Sequence, residues 1–464
     1  MVNAINRYAA RLDRFFELTP RETTVRTELL AGATTFMTMA YILFVNPAIL
    51  SAVPDANGEV RSPSALLTST ALIAAVATIA MGLCSNLPLA LAPGMGLNSV
   101  VAFQLVAAER LTWAQAMGVI VAEGLVAVVL VLTGLRLAVV RAVPVSLKRA
   151  IGIGIGLFLA FIGCVNAGFV SRPAAGPVPV QLGSDGSLHG FGAWLFAGAL
   201  LLSAWLVSRD VRGALLVGIG VATGAAGIAR LVLGDAAGLA PGVAQLPGSP
   251  VSWPDFSLVA RFDFGFVLAL GLAPAMLTVF SVMLSDFFDT LGTVVAVGQE
   301  GRYLDGKGNF PRPGTVLLID SLSAAAGGAV GASSATTYIE SAAGAAAGGR
   351  TGLTSVVTGL LFAASLFLAP LAGVVPAQAT GAVLVLVGFL MMREVGALPW
   401  RDVSEAIPAF VTFTVMPFTY SITNGIGAGF LAFVILKLLM RRGREVHPLM
   451  YGASAAFLVY FVLA

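Results

Sequence analysis

Carboxylates in apolar surroundings are the residues of this chain most able to do chemistry. Asp286 and Asp289 lie in VMLSDFFDTLGT, Asp320 in TVLLIDSLSAAAGG, Glu340 in GASSATTYIESAAG and Glu123 in MGVIVAEGLVAVV. An ionisable group at membrane depth is costly and by default marks a functional site. No intramembrane Lys or Arg accompanies these acids to neutralise them. Desolvation favours the neutral form of a carboxyl group, which suits a group that exchanges a proton as substrate or water surrounds it. Sodium is the other coupling ion that carboxylates, hydroxyls and carbonyls can hold, and the residue types leave both open.

Asp286 and Asp289 are three positions apart, so a helix places them on one face, with Thr290 and Thr293 beside them. Asp286 sits in the middle of its run and Glu340 at a break, which favours ligand contact for both. For Asp289, Asp320 and Glu123 two readings stand: buried groups that tie helices together, or proton-linked groups.

Two stretches break the pattern expected of spanning helices. Residues 331–350 read GASSATTYIESAAGAAAGGR, and residues 87–98 read LPLALAPGMGLN. Short Gly-interrupted segments in corresponding positions of two halves point to a transporter's binding site. Pro88 and Pro93 disfavour helix before Gly94, and residues 333–339 are rich in Thr and β-branched side chains. Each stretch therefore reads as a short strand followed by a helix. The helices after Gly94 and near Glu340 would aim free backbone N–H groups at a shared gap. A site with acids and neutral donors but no basic side chain suits a neutral, flat molecule with N–H groups, not a phosphate or carboxylate. Phe36, Phe44, Phe103, Phe280, Phe287 and Phe288 are candidate stacking faces.

The elements that must position these residues are membrane spans. The chain is 58% hydrophobic and 11% charged, with a mean hydropathy of +0.93, whereas soluble domains carry about 25% charged residues. Apolar runs occupy 26–50, 64–85, 91–108, 113–134, 148–169, 190–208, 212–233, 268–298, 314–330, 335–349, 353–371, 376–392, 403–440 and 448–463. That predicts an all-α polytopic membrane protein of about 14 segments, with 403–440 long enough for a bent or paired element. The longest polar stretch, 234–263, reads as a loop. Basic residues cluster at 7–26, 136–149, 209–212, 302–312, 350, 393–401 and 437–444, which by the positive-inside rule face the cytoplasm with the N-terminus. An odd number of segments per half makes the halves antiparallel, an inverted repeat of 1–240 and 241–464. The first residues read as a basic amphipathic surface helix with Tyr8, Leu12, Phe15 and Phe16 on its apolar face, not as a signal peptide. Cys84 and Cys164 read as packing residues, and no metal spacing exists. A net charge of +3 argues against nucleic acid. Both histidines, His189 and His447, fall in loops, which disfavours a membrane-embedded enzyme.

The segments TTFMTMAYILFVNPAIL, LAPGMGLNSVVAF, SDFFDTLGTVVAVGQE and SSATTYIESAAGAAAGGRTGLTSVVTGLLF, followed by MPFTYSITNGIGAGF at 416–430, resemble the adenine/guanine/hypoxanthine permease (AzgA-like) branch of the nucleobase–ascorbate transporters. The resemblance runs from Phe15 to the C-terminus. It implies the uracil permease-like fold: an inverted repeat with short β-strands in segments 3 and 10. Segments 1–4 and 8–11 would form a core domain and segments 5–7 and 12–14 a gate domain. It implies proton-coupled import of purine nucleobases by an elevator-like movement of core against gate. By the same resemblance Asp286 and Glu340 hold the purine, Asn98 closes the segment 3 motif with Gly96 just before it, and Asp289 and Asp320 are functionally important. Thr337, in the segment 10 motif, joins the substrate-binding candidates. No cofactor is implied; the partners are a purine nucleobase, a proton, membrane lipid and a second copy bound through the gate domain. The expected location is the cell inner membrane. The same fold carrying xanthine, a pyrimidine or a sodium-coupled substrate is the alternative.

Overall fold

The structure is a computed structural model that describes residues 11–134, 142–173, 178–183, 186–234, 238–239, 243–245, 247–301, 303 and 310–463. Tyr8, most of the basic stretch 302–312 and the side chain of Phe288 lie outside the described residues. The chain runs through α1 (Val25–Met39), α2 (Ile42–Leu50), α3 (Pro63–Ser85), β1 (Leu91–Pro93) and α4 (Met95–Ser99), which continues as a π-helix over Val100–Ala108. Then come α5 (Trp113–Leu132), α6 (Val145–Asn166), β2 (Val170–Ser171), β3 (Gln181–Leu182), α7 (Gly190–Ser208) and α8 (Ala214–Leu233). The second half holds α9 (Phe266–Leu270), α10 (Leu272–Glu300), α11 (Pro313–Ala329), β4 (Ala335–Thr337), α12 (Ser341–Ala346) and α13 (Gly352–Ser365). It closes with α14 (Ala377–Met392), α15 (Val403–Thr419), α16 (Ile422–Leu439) and α17 (Pro448–Leu463). Among the described residues, nine helical spans are long and apolar enough to cross a membrane. The chain is a multi-pass membrane protein.

Local signals fix the helix ends. Thr112 and Gln115 form a reciprocal capping box at the start of α5, and Pro63 occupies the first turn of α3. α3 stops at Asn86, which takes the left-handed conformation. The run 403–440 is the paired element its length allowed: α15 and α16 form a hairpin turned at Tyr420, itself left-handed at φ 53°. Ser421 caps α16 by accepting from the Asn424 N–H. The described part of 238–263 forms no helix or strand.

Packing sorts the helices into two groups. α13 lies on α3 and α1, α11 on α5 and α3, α12 on α1 and α10 on α5. In the other group α6 packs on α14 and α15, α14 on α7 and α8, and α16 on α17. Small residues let backbones approach: a Cβ on Gly163 or Gly156 would run into the carbonyl oxygen of Gly381 or Gly388 across the α6–α14 contact. Helices α4 and α10 touch α6, and α10 also meets α16 and α17, so these contacts join the groups.

The reading of Cys84 as a packing residue is corrected, since it is exposed. In a soluble protein an apolar run signals burial; in a lipid-facing helix the outer face is equally apolar. Phe16 packs with Leu18 and Leu353 while Phe15 stays 58% exposed, so only part of the N-terminal apolar face meets protein.

Candidate functional site

The two broken stretches meet. β1 pairs antiparallel with β4 in the register Leu91↔Thr337, Ala92↔Thr336 and Pro93↔Ala335. Two strands of three residues cannot stand alone, and a backbone removed from water must have its polar groups paired. Hydroxyls supply the missing partners. The Thr78 hydroxyl accepts from the Leu91 N–H and donates to its carbonyl, both at 2.9 Å, taking the place of a third strand. Ser341 accepts from the Ala90 N–H at 2.9 Å, and Ser355 donates to the carbonyls of Leu87 and Leu89 at 2.9 and 2.8 Å. The Gly94 N–H donates to the Ser334 carbonyl at 2.9 Å, which fixes where α4 begins.

At the other end of β4, Glu340 stands at the start of α12 and is partly exposed. Its Oε1 accepts from the Tyr41 hydroxyl at 2.6 Å. Asp289 is also partly exposed, and its charge interacts with those of Asp320 and Glu340. Asp286, one turn earlier on α10, is only 1% exposed. Asn98 and Thr337 are buried at 0% and 1% exposure, yet both polar side-chain atoms of Asn98 and the Thr337 hydroxyl have no hydrogen-bond partner among the described residues. Such orphans are uncommon in native structures and call for a ligand or water. An amide and a hydroxyl offer both donor and acceptor capacity, and the two carboxylates add acceptors. Gly96 lies against Ile155 of α6: a Cβ there would sit 2.7 Å from Ile155 Cγ2. The arrangement can hold a small polar molecule by its edges.

Residues 26–428 match the Permease family. The chain belongs to that family. It is 40% identical over 451 residues to the adenine permease AdeP of Escherichia coli, covering 97% of this chain and 96% of that one. It is 36% identical over 453 residues to the guanine/hypoxanthine permease PbuG of Bacillus subtilis, covering 97% and 99%. Among solved structures, the transmembrane domain of the cyanobacterial bicarbonate transporter BicA superposes with a TM-score of 0.62 at 13% identity, covering 86% of this chain and 97% of that domain. At that identity the likeness is one of fold. The family is one of transporters, so the chain is a permease and not an enzyme.

The remaining acids of this permease brace its strand segments. Asp320 accepts from the Thr290 hydroxyl through both oxygens at 2.9 Å, and Thr290 is 2.8 Å from the Thr336 hydroxyl of β4. Glu123 accepts from Ser334 at 3.3 Å, just ahead of β4. Among the described residues no group of three or more His, Cys, Asp or Glu side chains is placed to hold a metal.

Sequence reasoning missed Tyr41, Thr78 and Glu28. Glu28 is fully buried and accepts from the N–H groups of Arg350, Thr351 and Thr354 at 2.8, 3.2 and 3.2 Å. It also accepts from the hydroxyls of Thr23, Thr351 and Thr354 at 2.9, 2.9 and 2.6 Å. It thus caps α13 from another helix and clamps the joint between α12 and α13. In the sequence it looks like an ordinary acid in the first turn of α1. Tyr41 carried one signal, since a buried tyrosine hydroxyl wants a partner, but nothing local names Glu340.

Proposed function

We propose that this permease is a secondary active transporter that imports purine nucleobases, adenine or guanine and hypoxanthine, by proton symport. The observation that carries the reading is the set of buried groups on Asn98 and Thr337, at the strand pair, that lack partners among the described residues, with the partly exposed carboxylates of Glu340 and Asp289 close by. A purine presents adjacent donors and acceptors along its edges, which this set complements. The adenine and guanine/hypoxanthine permeases among the relatives support the same substrate class.

In this reading Asp286 and Glu340 accept purine N–H groups, Asn98, Gly96 and Thr337 complete the binding face, and Asp289, Asp320 and Glu123 serve proton coupling or bracing. Two nearby carboxylates resist being charged together, which leaves one to carry the symported proton. The first packing group, segments 1–4 and 8–11, is the moving core; segments 5–7 and 12–14 are the gate, through which two copies pair. The architecture is an inverted repeat of 1–240 and 241–464 with about 14 segments, the α15–α16 hairpin standing in the place of one. The protein lies in the cell inner membrane with its N-terminus in the cytoplasm.

Uptake of radiolabelled adenine, hypoxanthine and guanine by cells lacking their own purine carriers tests this. Saturable uptake abolished by a protonophore is expected. Uptake that survives the protonophore but requires sodium overturns the coupling ion, and absence of uptake from protein present in the membrane overturns the substrate class.

A further inference from the structure

Away from the strand pair, a second polar cluster sits at the far end of segment 3. Gln104 is 2% exposed and lies on the π-helix Val100–Ala108, a geometry frequent at functional sites. Its Nε2 donates two ways: to the Thr423 hydroxyl on α16 at 2.8 Å, and to Glu109 Oε1 at 3.1 Å. The Thr423 bond joins the helix group that carries the strands to the group that carries α16. An edge-on contact between Phe103 and Tyr420, with ring centroids 5.9 Å apart, lies beside it. Gln104 Oε1 and Glu109 Oε2 are buried with no hydrogen-bond partner among the described residues.

We infer that Glu109 is a proton-binding site at the extracytoplasmic mouth of the permease, and that its protonation sets the Gln104–Thr423 latch between the two helix groups. The inference rests on the carrier reading above for its orientation and its purpose. Glu109 follows the last residue of the π-helix, outside the span. Burial pushes its carboxyl up to about 7, against the opposing pull of the Gln104 bond. From α17, Tyr460 is the titratable side chain whose charge interacts with it; α16 presents the neutral Thr423. Arg110, next in the chain, is exposed and makes no ion pair among the described residues. The Asp55–Arg61 pair is nearby on the loop before α3, where Asp55 accepts from the Trp113 N–H.

The direction of coupling follows from where the carboxyl meets water. With the mouth closed, Glu109 is partly exposed as a residue but its Oε2 is buried, and the neutral form is favoured. Separation of Gln104 from Thr423 wets the carboxyl, which then returns towards the ordinary value of 4.5. Closure therefore takes up a proton from the outer side. The penalty on closing is present above about pH 7 and is relieved as pH falls through that value. A carrier that closes on its external proton gains directionality before the central carboxylates are reached.

The test needs no substrate. Spin labels at Ala108→Cys, on the exposed end of the π-helix, and Phe418→Cys, at the 82% exposed end of α15, report mouth closure in full-length protein carrying Cys84→Ser and Cys164→Ser. Between pH 8.5 and 5.5 the ratio of short to long distances should rise at least about tenfold. Glu109→Gln should hold that ratio constant across the range. Thr423→Val should lower the short-distance population at both pH values while keeping the pH response. An unchanged pH response in Glu109→Gln, or a ratio that ignores pH in the parent protein, overturns the inference. Parallel uptake of labelled adenine, hypoxanthine and guanine decides the carrier reading separately.

Discussion

The Tyr41 hydroxyl donates to Glu340 Oε1 at 2.6 Å, joining residues 299 positions apart. Tyr41 is fully buried while Glu340 is partly exposed. One carboxylate oxygen of Glu340 is thereby held by the protein, and in the proposed function the carboxylate so fixed faces the nucleobase. A hydrogen bond to a charged group contributes about 1.5–3 kcal/mol. Tyr41→Phe should therefore raise the KM for nucleobase uptake by about tenfold or more, at unchanged protein abundance in the membrane. Uptake kinetics normalised to that abundance measure it, and a wild-type KM removes Tyr41 from the site.

Gly96 has no room for a side chain, because a Cβ would sit 2.7 Å from Ile155 Cγ2 on α6. Overpacking of this kind costs about 1–3 kcal/mol. Gly96→Ala should depress uptake strongly, and adding Ile155→Ala should restore part of it. Failure of the double variant to improve on the single one would place the defect elsewhere than in this contact.

Glu28 accepts from three backbone N–H groups and three hydroxyls in a site closed to water. Orphaning several buried donors at once should cost more than about 3 kcal/mol, so Glu28→Ala should unfold well below the parent in detergent. Thr354→Val removes one donor and should cost about 1 kcal/mol. Equal melting temperatures for Glu28→Ala and the parent protein would show that the clamp is not needed for stability.

Asp55 on the loop before α3 gives a pH prediction. Burial pushes its carboxyl upward, but the N–H groups of Trp113, Glu59 and Asn57 and the nearby Arg61 together outweigh it and hold it below the usual range. A depressed carboxyl stabilises the fold above its unfolded value, about 3.9, and that contribution fades as pH falls through the folded value. The parent should therefore melt above Asp55→Asn at pH 7, with the gap closing near pH 3. Thermal unfolding at both pH values checks this, and a gap that does not change with pH assigns it to packing.

Much of the site's chemistry was legible because membrane burial makes polar residues conspicuous. Glu340, Asp289, Asp320 and Glu123 stood out against apolar runs, and Gly94 with Pro93 marked a strand leading to a helix. Thr78 did not stand out, since a threonine inside a helix ordinarily bonds to its own helix. Its partner, the edge of β1, exists only once the strand leaves the helical path. The hairpin at Tyr420 was legible only as excess length in 403–440, because no Gly or Pro occupies the turn itself and Pro417 lies within α15.

By itself the sequence determined that the chain spans a membrane, where its backbone must break, and which acids lie at membrane depth. Hydropathy, proline and glycine act through neighbours along the chain, so local order carries them. Tertiary structure alone decided that β1 meets β4 in one register, that Tyr41 rather than a cation partners Glu340, and that Glu28 is a clamp. It also decided that Asp289 is partly open while Asp286 is enclosed. Those outcomes depend on distances between segments hundreds of residues apart, and the free energy that selects them arises from pairing buried polar groups wherever packing brings them together.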